Sequence, residues 1–360
     1  MENVKIKQSS NKMGMANVKL LLLSMGLPMI VSMALQAAYN IVDSYFVSCM
    51  ENTDQITNMG DCGVNALTLA YPVQMLMIAI GVGTGVGINA ILSKSLGEGN
   101  REKGSKIAGN SIFLGVCMYV VFLLFGLFGV EPYIRSQSSD PVIIEMACSY
   151  LRICTIGSLG VSMYITYEKL LQATGKTMQS TIAQLAGAIT NIVLDPIMIF
   201  GWCGLPKMGI EGAAYATIIG QFVSFALDAV FHYCYNSRDF DASVKYVKPD
   251  GKIIKEIYQV GIPAIIMQAL MSFLTYGVNV IFIRVSTAAV TAYGIYYKIQ
   301  QFVFFAAFGM NNAMIPIIGF NYGMKSKKRI KETIKYGMIY TLIIMLAGLI
   351  GLQLFADQIL

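Results

Sequence analysis

The sequence predicts an all-α integral membrane protein, a polytopic helix bundle with a parallel six-helix repeat in which about nine of twelve expected helices are present. Composition, the length of the apolar blocks and an internal repeat support this fold class. Of the 360 residues, 56% are hydrophobic and only 13% are charged, and the mean hydropathy is +0.61. Soluble domains carry about 25% charged residues, so this chain has too few to cover a soluble surface.

The apolar residues fall into nine blocks, and each is long enough to cross a hydrocarbon core of about 30 Å as a helix. Gly and Pro lie inside several blocks. Spanning helices tolerate them when neighbouring helices satisfy the exposed backbone groups, so the blocks should pack together. The blocks are 21–48, 64–92, 111–130, 148–171, 181–201, 210–235, 259–283, 289–318 and 336–356.

The internal repeat joins the two ends of the chain. GLPMIVSMALQAAYNIVDSYFV (26–47) resembles GIPAIIMQALMSFLTYGVNVIFI (261–283), and SLGEGNREKGSKI (95–107) resembles NYGMKSKKRIKET (321–333). Six spans separate the copies, so both have the same orientation, as in parallel-repeat transporters. Counterparts of spans four to six are missing from the second copy, and we expect a fragment of a twelve-span protein.

The repeat divides the chain into three parts. Residues 1–235 form an N-lobe with six transmembrane helices, 236–258 form a cytoplasmic linker, and 259–360 form a partial C-lobe with three helices. We expect a monomer in contact with membrane lipid.

Basic residues predict the orientation. If the N-terminus is inside, the inside gaps hold 20 of the 26 Lys and Arg residues, and the outside gaps hold only Arg135, Lys207 and Arg284. Positive loops stay in the cytoplasm, so the N-terminus should be cytoplasmic in a multi-pass protein of the plasma (inner) membrane. The net charge of +6 therefore reflects topology, and we expect no nucleic-acid partner.

The sequence predicts neither a cleavable signal peptide nor a metal or redox site. The first apolar block is too long for the core of a cleavable signal peptide, so it should remain as a span. The seven cysteines form no C-x-x-C pair and lie mostly in apolar runs, which argues against metal or redox chemistry.

Asp195, in the apolar run NIVLDPIMIFG, is the strongest candidate functional residue. A central Asp costs about 2.5–3.5 kcal/mol on insertion scales. Asn191, four residues earlier, projects from the same helix face, and Pro196 frees the carbonyl of Ile192. An oxygen-rich pocket of this kind can hold a proton or a small hard cation. The alternative is a kinked helix whose Asp only joins helices through hydrogen bonds.

Asp43 is a second candidate of the same kind, because Asn40 lies three residues earlier on the same helix face. The alternative is that Asp43 reaches water at the outer end of its span.

The other ionisable residues in the spans have interpretations that do not require a coupling site. Glu168 and Lys169 can snorkel to the cytoplasmic surface. Asp228 and His232 can relay protons, but an interfacial pair is favoured. Lys298 can select charge or serve as a counter-ion.

The glycine-rich run GVGTGVG (81–87) does not indicate a nucleotide site, because it lies within a span and follows no strand. Gly81 with Gly85, and Gly83 with Gly87, have the small-xxx-small spacing that lets helix backbones approach closely.

The chain resembles the multidrug and toxic compound extrusion (MATE) family from the first span to the end, and within it the MepA-like bacterial branch. The resemblance rests on the two repeat segments, SKSLGEGN, LLQATGKT (170–177), TNIVLDPIMIFG and GIEGAAYATIIGQ (209–221), in that order. It implies twelve helices in two lobes and a central cleft, through which organic and often cationic drugs leave as Na⁺ or H⁺ enters.

By the same resemblance, the coupling site uses Asp43, Asn191, Asp195 and Thr217, with Na⁺ possible at the first three and no other cofactor. Candidate cavity-lining residues are Asn40, Asn279, Lys298 and Asn311. Two other functions stay open. A flippase for lipid-linked precursors needs a strongly cationic cavity, for which only Arg152 and Lys298 are candidates. An intramembrane enzyme needs clustered metal ligands, and the sequence has no D-D-x-x-D motif and one histidine.

Overall fold

The computed structural model describes residues 11–52, 58–283 and 287–354, and ten long helices make up most of this part of the chain. They are α1 (Val18–Ser48), α2 (Met59–Gly97), α3 (Arg101–Phe128), α4 (Pro141–Ile156), α5 (Leu159–Ala173), α6 (Thr177–Phe200), α7 (Ile210–Tyr235), α8 (Gly251–Ile283), α9 (Thr287–Gly323) and α10 (Lys327–Leu354). Two short helices, Lys12–Met15 and Val130–Arg135, precede α1 and follow α3.

Most of these helices are long and apolar enough to cross a membrane. In the described residues seven pass by length and composition, and α4 with α5 makes an eighth span bent by 45°. Helix α9, which covers the predicted block 289–318, is helical over 37 residues. Eight of the nine blocks therefore correspond to candidate spans in the described residues, one of them broken, and the remaining block lies within the helix α9.

The break between α4 and α5 lies at Gly157 and Ser158. A Cβ on Gly157 would overlap the side chain of Ile218 on α7, so glycine lets the Ile218 side chain pack directly against the backbone at the bend. Small residues are common at kinks of this kind.

The parallel repeat is visible in the backbone. The α2–α3 and α9–α10 loops place Gly99 and Lys325 at equivalent positions, with φ of 74° and 57°. Asn100 N–H donates to the Ser95 carbonyl at 3.0 Å, and Ser326 N–H donates to the Asn321 carbonyl at 2.9 Å. The two loops therefore have the same backbone geometry, as the repeat of α1–α3 in α8–α10 predicts.

The predicted inside loops meet at one end of the bundle, here called the basic end. Asn321 Nδ2 donates to the Met13 carbonyl at 3.0 Å, and the Lys94 ammonium lies 5.4 Å from the centre of the Tyr322 ring. Arg101 donates to the Arg238 carbonyl at 2.8 Å, which brings in the segment after α7. The loops that join α2 to α3 and α9 to α10 therefore lie on the same side, as the repeat predicts.

The glycines of α2 form two contact faces, as their spacing predicts. A Cβ on Gly83 or Gly87 would overlap Ile265 or Ile257 of α8. Gly81 and Gly85 instead face α5, where a Cβ on Gly85 would lie 2.6 Å from the Lys169 stem. The run therefore serves close helix packing on both sides of α2.

Helix α8 begins at Gly251, inside the segment expected to be a linker up to residue 258. Ile253 and Ile257 of its first turns are buried, Ile257 completely, so these residues pack as part of the bundle. The loop between the two copies is correspondingly shorter, 236–250. Its apolar residue Phe240 is completely buried beside α3, which anchors the loop at the basic end.

Candidate functional site

Asn191 joins α6 to α7 through its side-chain amide. Its Nδ2 donates to Asp195 Oδ1 at 3.2 Å and to Thr217 Oγ1 at 3.4 Å. Asp195 is completely buried and Asn191 is 3% exposed. The i, i+4 spacing places both side chains on one face of α6, and that face packs against α7. The structure therefore brings Asn191, Asp195 and Thr217 together.

Glycine makes this close approach between α6 and α7 possible. A Cβ on Gly187 would overlap Ser224 and would lie 2.5 Å from the carbonyl oxygen of Gly220. A Cβ on Gly220 would in turn lie 3.1 Å from the Asn191 Cβ. The two backbones nearly touch at Gly187 and Gly220, and this contact holds Thr217 within hydrogen-bond range of Asn191.

Asp43 approaches the same region from α1, which packs along α6. It is 8% exposed, so it does not lie in water at the end of its span. The two carboxyl groups are therefore both buried, on two helices that pack together inside an apolar bundle.

A small cavity of about 30 Å³ lies between α1, α5, α6 and α7 beside these residues. This volume is on the order of the share of one water molecule in the liquid, so it fits a water or a small ion. Its lining includes Asn191 and Thr217 and adds side chains that the sequence analysis did not single out. The added polar side chains are Tyr39, Tyr164, Gln184, Gln221 and Ser224.

A search of the sequence for polar residues at helical spacing, four or seven residues apart, could have found several of these side chains. Gln184 precedes Asn191 on α6 by seven residues, and Gln221 and Ser224 follow Thr217 on α7 by four and seven. Residues at these spacings share one face of a helix. Tyr39 and Tyr164 carry no such signal, because tyrosine is common in spans for other reasons.

Three oxygen atoms of the site accept no hydrogen bond in the described part of the protein: Asp43 Oδ1, Asn191 Oδ1 and Asp195 Oδ2. Buried acceptors are normally paired, and an unpaired buried carboxylate oxygen is costly. Carboxylate and amide oxygens are ligands for hard cations. These three oxygen atoms are therefore suitable ligands for a proton or a small hard cation such as Na⁺.

The other predicted lining residues do not join this group. Asn311 of α9 is exposed. The side chains of Asn40, Asn279 and Lys298 lie outside the described residues, so the predictions made for them stay predictions. Arg152, the other basic candidate for a flippase cavity, is half-exposed and lies 3.9 Å from Glu131.

Two sequence interpretations are wrong. Glu168 and Lys169 do not snorkel, since their side chains are 8% and 2% exposed and form an internal ion pair at 3.8 Å. Asp228 and His232 do not form a pair in contact with water, because both are completely buried. The reason is the same in each case: α5 and α7 pack against each other there, and their contact face points away from the surface.

Comparisons with known proteins agree on the family. The MatE family model matches residues 28–197 and 263–360. The multidrug export protein MepA of Staphylococcus aureus (strain bovine RF122 / ET3-1) is 27% identical over 309 residues, which cover 86% of this chain and 65% of that protein. MepA of Staphylococcus saprophyticus is 26% identical over 320 residues, which cover 89% of this chain and 68% of that protein. The chain thus spans about two thirds of the length of these relatives.

Solved structures agree on the fold. An outward-facing multidrug resistance MATE transporter of the MOP superfamily aligns with a TM-score of 0.87 and 25% identity, over 96% of this chain and 74% of that chain. A MATE protein in complex with MaL6 aligns with a TM-score of 0.89 and 24% identity, over 97% of this chain and 75% of that chain. Because the MatE model matches well over half of the sequence, on both copies of the repeat, this chain belongs to the MatE family.

Proposed function

We propose that the protein is a cation-coupled antiporter, rather than an enzyme, and that it exports organic, often cationic compounds while Na⁺ or H⁺ moves inward. The observation that carries the proposal is the pair of buried carboxyl groups, Asp43 and Asp195, on two packed helices of a membrane bundle. Ionisable residues at this depth are expensive, and in membrane proteins they mark ion and substrate pathways.

The coupling site consists of Asp43, Asn191, Asp195 and Thr217. A bound cation stabilises the two carboxylates, and its departure leaves two negative charges in a poorly solvated place. The site therefore has two arrangements that differ in energy, and cation binding selects between them. Three oxygens without hydrogen-bond partners support this role, because they leave acceptors free for the ion.

Contacts between the two copies support transport by alternating access. At the basic end, Gly97 packs against Phe320, and Gly26 packs against Met310. These contacts leave α1 and α2 packed directly against α9 at that end. We propose that this end faces the cytoplasm of the cell membrane and that the described conformation is closed toward it. Movement of α1 upon cation binding at Asp43 would then be transmitted to this contact.

The test is drug efflux from everted vesicles with imposed Na⁺ and pH gradients. Asp195→Asn should abolish gradient-driven export at equal membrane abundance, because Asn is nearly isosteric and removes only the charge. The matched control is Asp61→Asn, an exposed position at the start of α2, which should export at the rate of the unmodified protein. Export by Asp195→Asn close to that rate would refute the proposed site.

A further inference from the structure

Asp228 of α7 is a buried carboxyl group that the proposed coupling site does not use. It is completely buried, and neither carboxyl oxygen has a hydrogen-bond partner in the described part of the protein. It lies one helical turn beyond Ser224, which lines the small cavity. A carboxylate so placed would lose its hydration without any compensating hydrogen bond, at a large cost in free energy.

The positive charges around Asp228 are already compensated. The ionisable groups that act on it are Glu168 and Lys169 of α5. Lys169 Nζ donates to Gln172 Oε1 at 2.9 Å, and Gln172 Nε2 donates to Glu168 Oε1 at 2.6 Å. With Glu168 and Lys169 3.8 Å apart, this network is close to neutral as a unit. It leaves no net positive charge to balance an ionised Asp228.

His232 does not balance Asp228 either, because its neighbours determine its tautomer. Lys176 Nζ donates to Asn236 Oδ1 at 2.8 Å, so that atom is the amide oxygen. The Asn236 amide nitrogen then faces His232 Nδ1 at 3.0 Å and donates to it. Nδ1 is therefore an acceptor, and His232 is neutral with its proton on Nε2. An added proton on Nδ1 would point at the Asn236 amide hydrogens and face the charge of Lys176.

The remaining titratable groups nearby are phenols, which are neutral. Tyr164 of α5 interacts electrostatically with Asp228 and Glu168, and also with Tyr39 across the cavity. Tyr167 and Tyr233 pack edge-on against the His232 ring, with centroids 5.2 Å away in each case. None of these groups supplies a positive charge to Asp228.

Asp228 also belongs to a polar stripe on α7 that starts at the candidate site. Its members recur every three or four residues and so share one helix face. They are Thr217, Gln221, Ser224, Asp228, His232 and Asn236. The stripe runs from the coupling site to the basic end, where Asn236 bonds Lys176 and Thr174.

We propose that Asp228 is a second proton-binding site in the membrane interior, which holds its proton in this conformation and exchanges it along the polar stripe of α7. When the proton leaves, the carboxyl oxygen keeps the electron pair and the negative charge remains beside Lys169. Proton binding at Asp228 stands on the geometry of α5 and α7 alone. Exchange with Asp195 rests in addition on the proposed function.

Infrared difference spectroscopy of the purified protein, in H₂O and in D₂O, tests the proposal directly. A protonated carboxyl group has a C=O stretch that is separate from carboxylate bands and shifts in D₂O. The coupling pair contributes a band of its own when no Na⁺ is bound. For Asp228 we expect a further band near neutral pH that disappears in Asp228→Asn and persists in Asp195→Asn and in the exposed control Asp61→Asn. Identical spectra for Asp228→Asn and the unmodified protein near neutral pH would overturn the proposal.

Thermal stability gives a second readout. A neutral Asp228 resembles Asn in charge and shape, so Asp228→Asn should fold and melt close to the unmodified protein in mildly acidic detergent solution. As pH rises, the unfolded chain loses the Asp228 proton while the folded protein keeps it. The folded-to-unfolded ratio of the unmodified protein should then fall by up to about tenfold per pH unit relative to Asp228→Asn. Strong destabilisation of Asp228→Asn at every pH would mean an ionised, paired Asp228 and would contradict the proposal.

The experiments separate this inference from the proposed transport function. If export does not depend on Asp195, the coupling proposal fails, yet the Asp228 band remains a property of the folded protein. If the Asp228 band is missing while Asp195→Asn abolishes export, only the second proton site fails.

Discussion

At the scale of single residues, the candidate site is defined by buried polar side chains with atoms that accept no hydrogen bond in the described structure. Asp43 and Asp195 are buried on two packed helices, and each has a carboxyl oxygen that accepts no hydrogen bond in the described structure. Two adjacent carboxylates in a poorly solvated site cannot both stay charged without a cation. A proton and a metal ion should therefore compete for this place.

Na⁺ binding should release protons, because Na⁺ replaces the proton that the carboxyl pair holds near neutral pH. Calorimetry in two buffers of different ionisation enthalpy measures the number of protons released, and Na⁺ affinity should fall as the pH drops. Asp43→Asn should remove the linkage, and Asp61→Asn should retain it. Na⁺ binding without proton release would indicate a pure Na⁺ site, and no Na⁺ binding would favour a proton-only mechanism.

At the scale of helices, glycine contacts decide where functional side chains lie. The hydrogen bond between Asn191 and Thr217 exists because α6 and α7 touch at Gly187 and Gly220. The same principle brings α2 against α8 at Gly83 and Gly87. In a membrane, close packing of this kind replaces the hydrophobic effect as the force between helices.

Gly187→Ala should destabilise the protein by about 1–3 kcal/mol, the usual cost of overpacking, because the new methyl group overlaps Ser224 and forces α6 from α7. It should also weaken cation binding, since Thr217 moves away from Asn191. Thermal unfolding in detergent and the calorimetry above measure both effects. Gly251→Ala is the matched control, because a Cβ at Gly251 meets no atom within 4 Å. Equal stability of the two variants would contradict the conclusion that α6 and α7 pack closely at Gly187.

At the scale of the whole molecule, the two copies of the repeat meet at the basic end. Arg329 of α10 joins them there, because its guanidinium donates to the carbonyls of Met13 at 3.0 Å and Ala16 at 2.8 Å and to Asn321 Oδ1 at 2.9 Å. Completely buried apolar side chains, among them Met25 and Phe320, fill the space beside it. Under the proposed alternating-access mechanism, this end would form the gate.

Arg329→Met should loosen the basic end, because it removes donors from two carbonyls while preserving an unbranched side chain. A cysteine at Met310, which is 1% exposed between the copies, should react several-fold faster with a thiol reagent in the purified variant. Lys328→Met, at an exposed neighbouring position, should leave the rate unchanged. An unchanged rate in Arg329→Met would show that these bonds do not hold the gate.

The repeat also predicts sidedness. Single cysteines at Glu102 and Lys328, in a cysteine-free background, should both resist a membrane-impermeant thiol reagent in intact cells, while a cysteine at Lys207 should react. Glu102 and Lys328 lie at the basic end, and Lys207 pairs with Glu51 at the opposite end. Labelling of only one of the first two positions would break the argument from the parallel repeat.

Sequence alone determined the properties that depend on local pattern. The length of apolar blocks gave the spans, because a bilayer requires about 20 apolar residues per helix. The repeat segments predicted the equivalent loops at Gly99 and Lys325, and the i, i+4 spacing placed Asn191 and Asp195 on one face. These features need only helix geometry and the thickness of the membrane.

Tertiary structure decided which polar side chains lie inside the bundle and what they contact. The sequence placed Glu168, Lys169, Asp228 and His232 near a span end and therefore near water, whereas packing of α5 against α7 buries all four. The tautomer of His232 depends on Asn236 and, through it, on Lys176. Helical periodicity gives the face on which a residue lies, but the burial and charge balance of that face depend on the neighbouring helix that covers it.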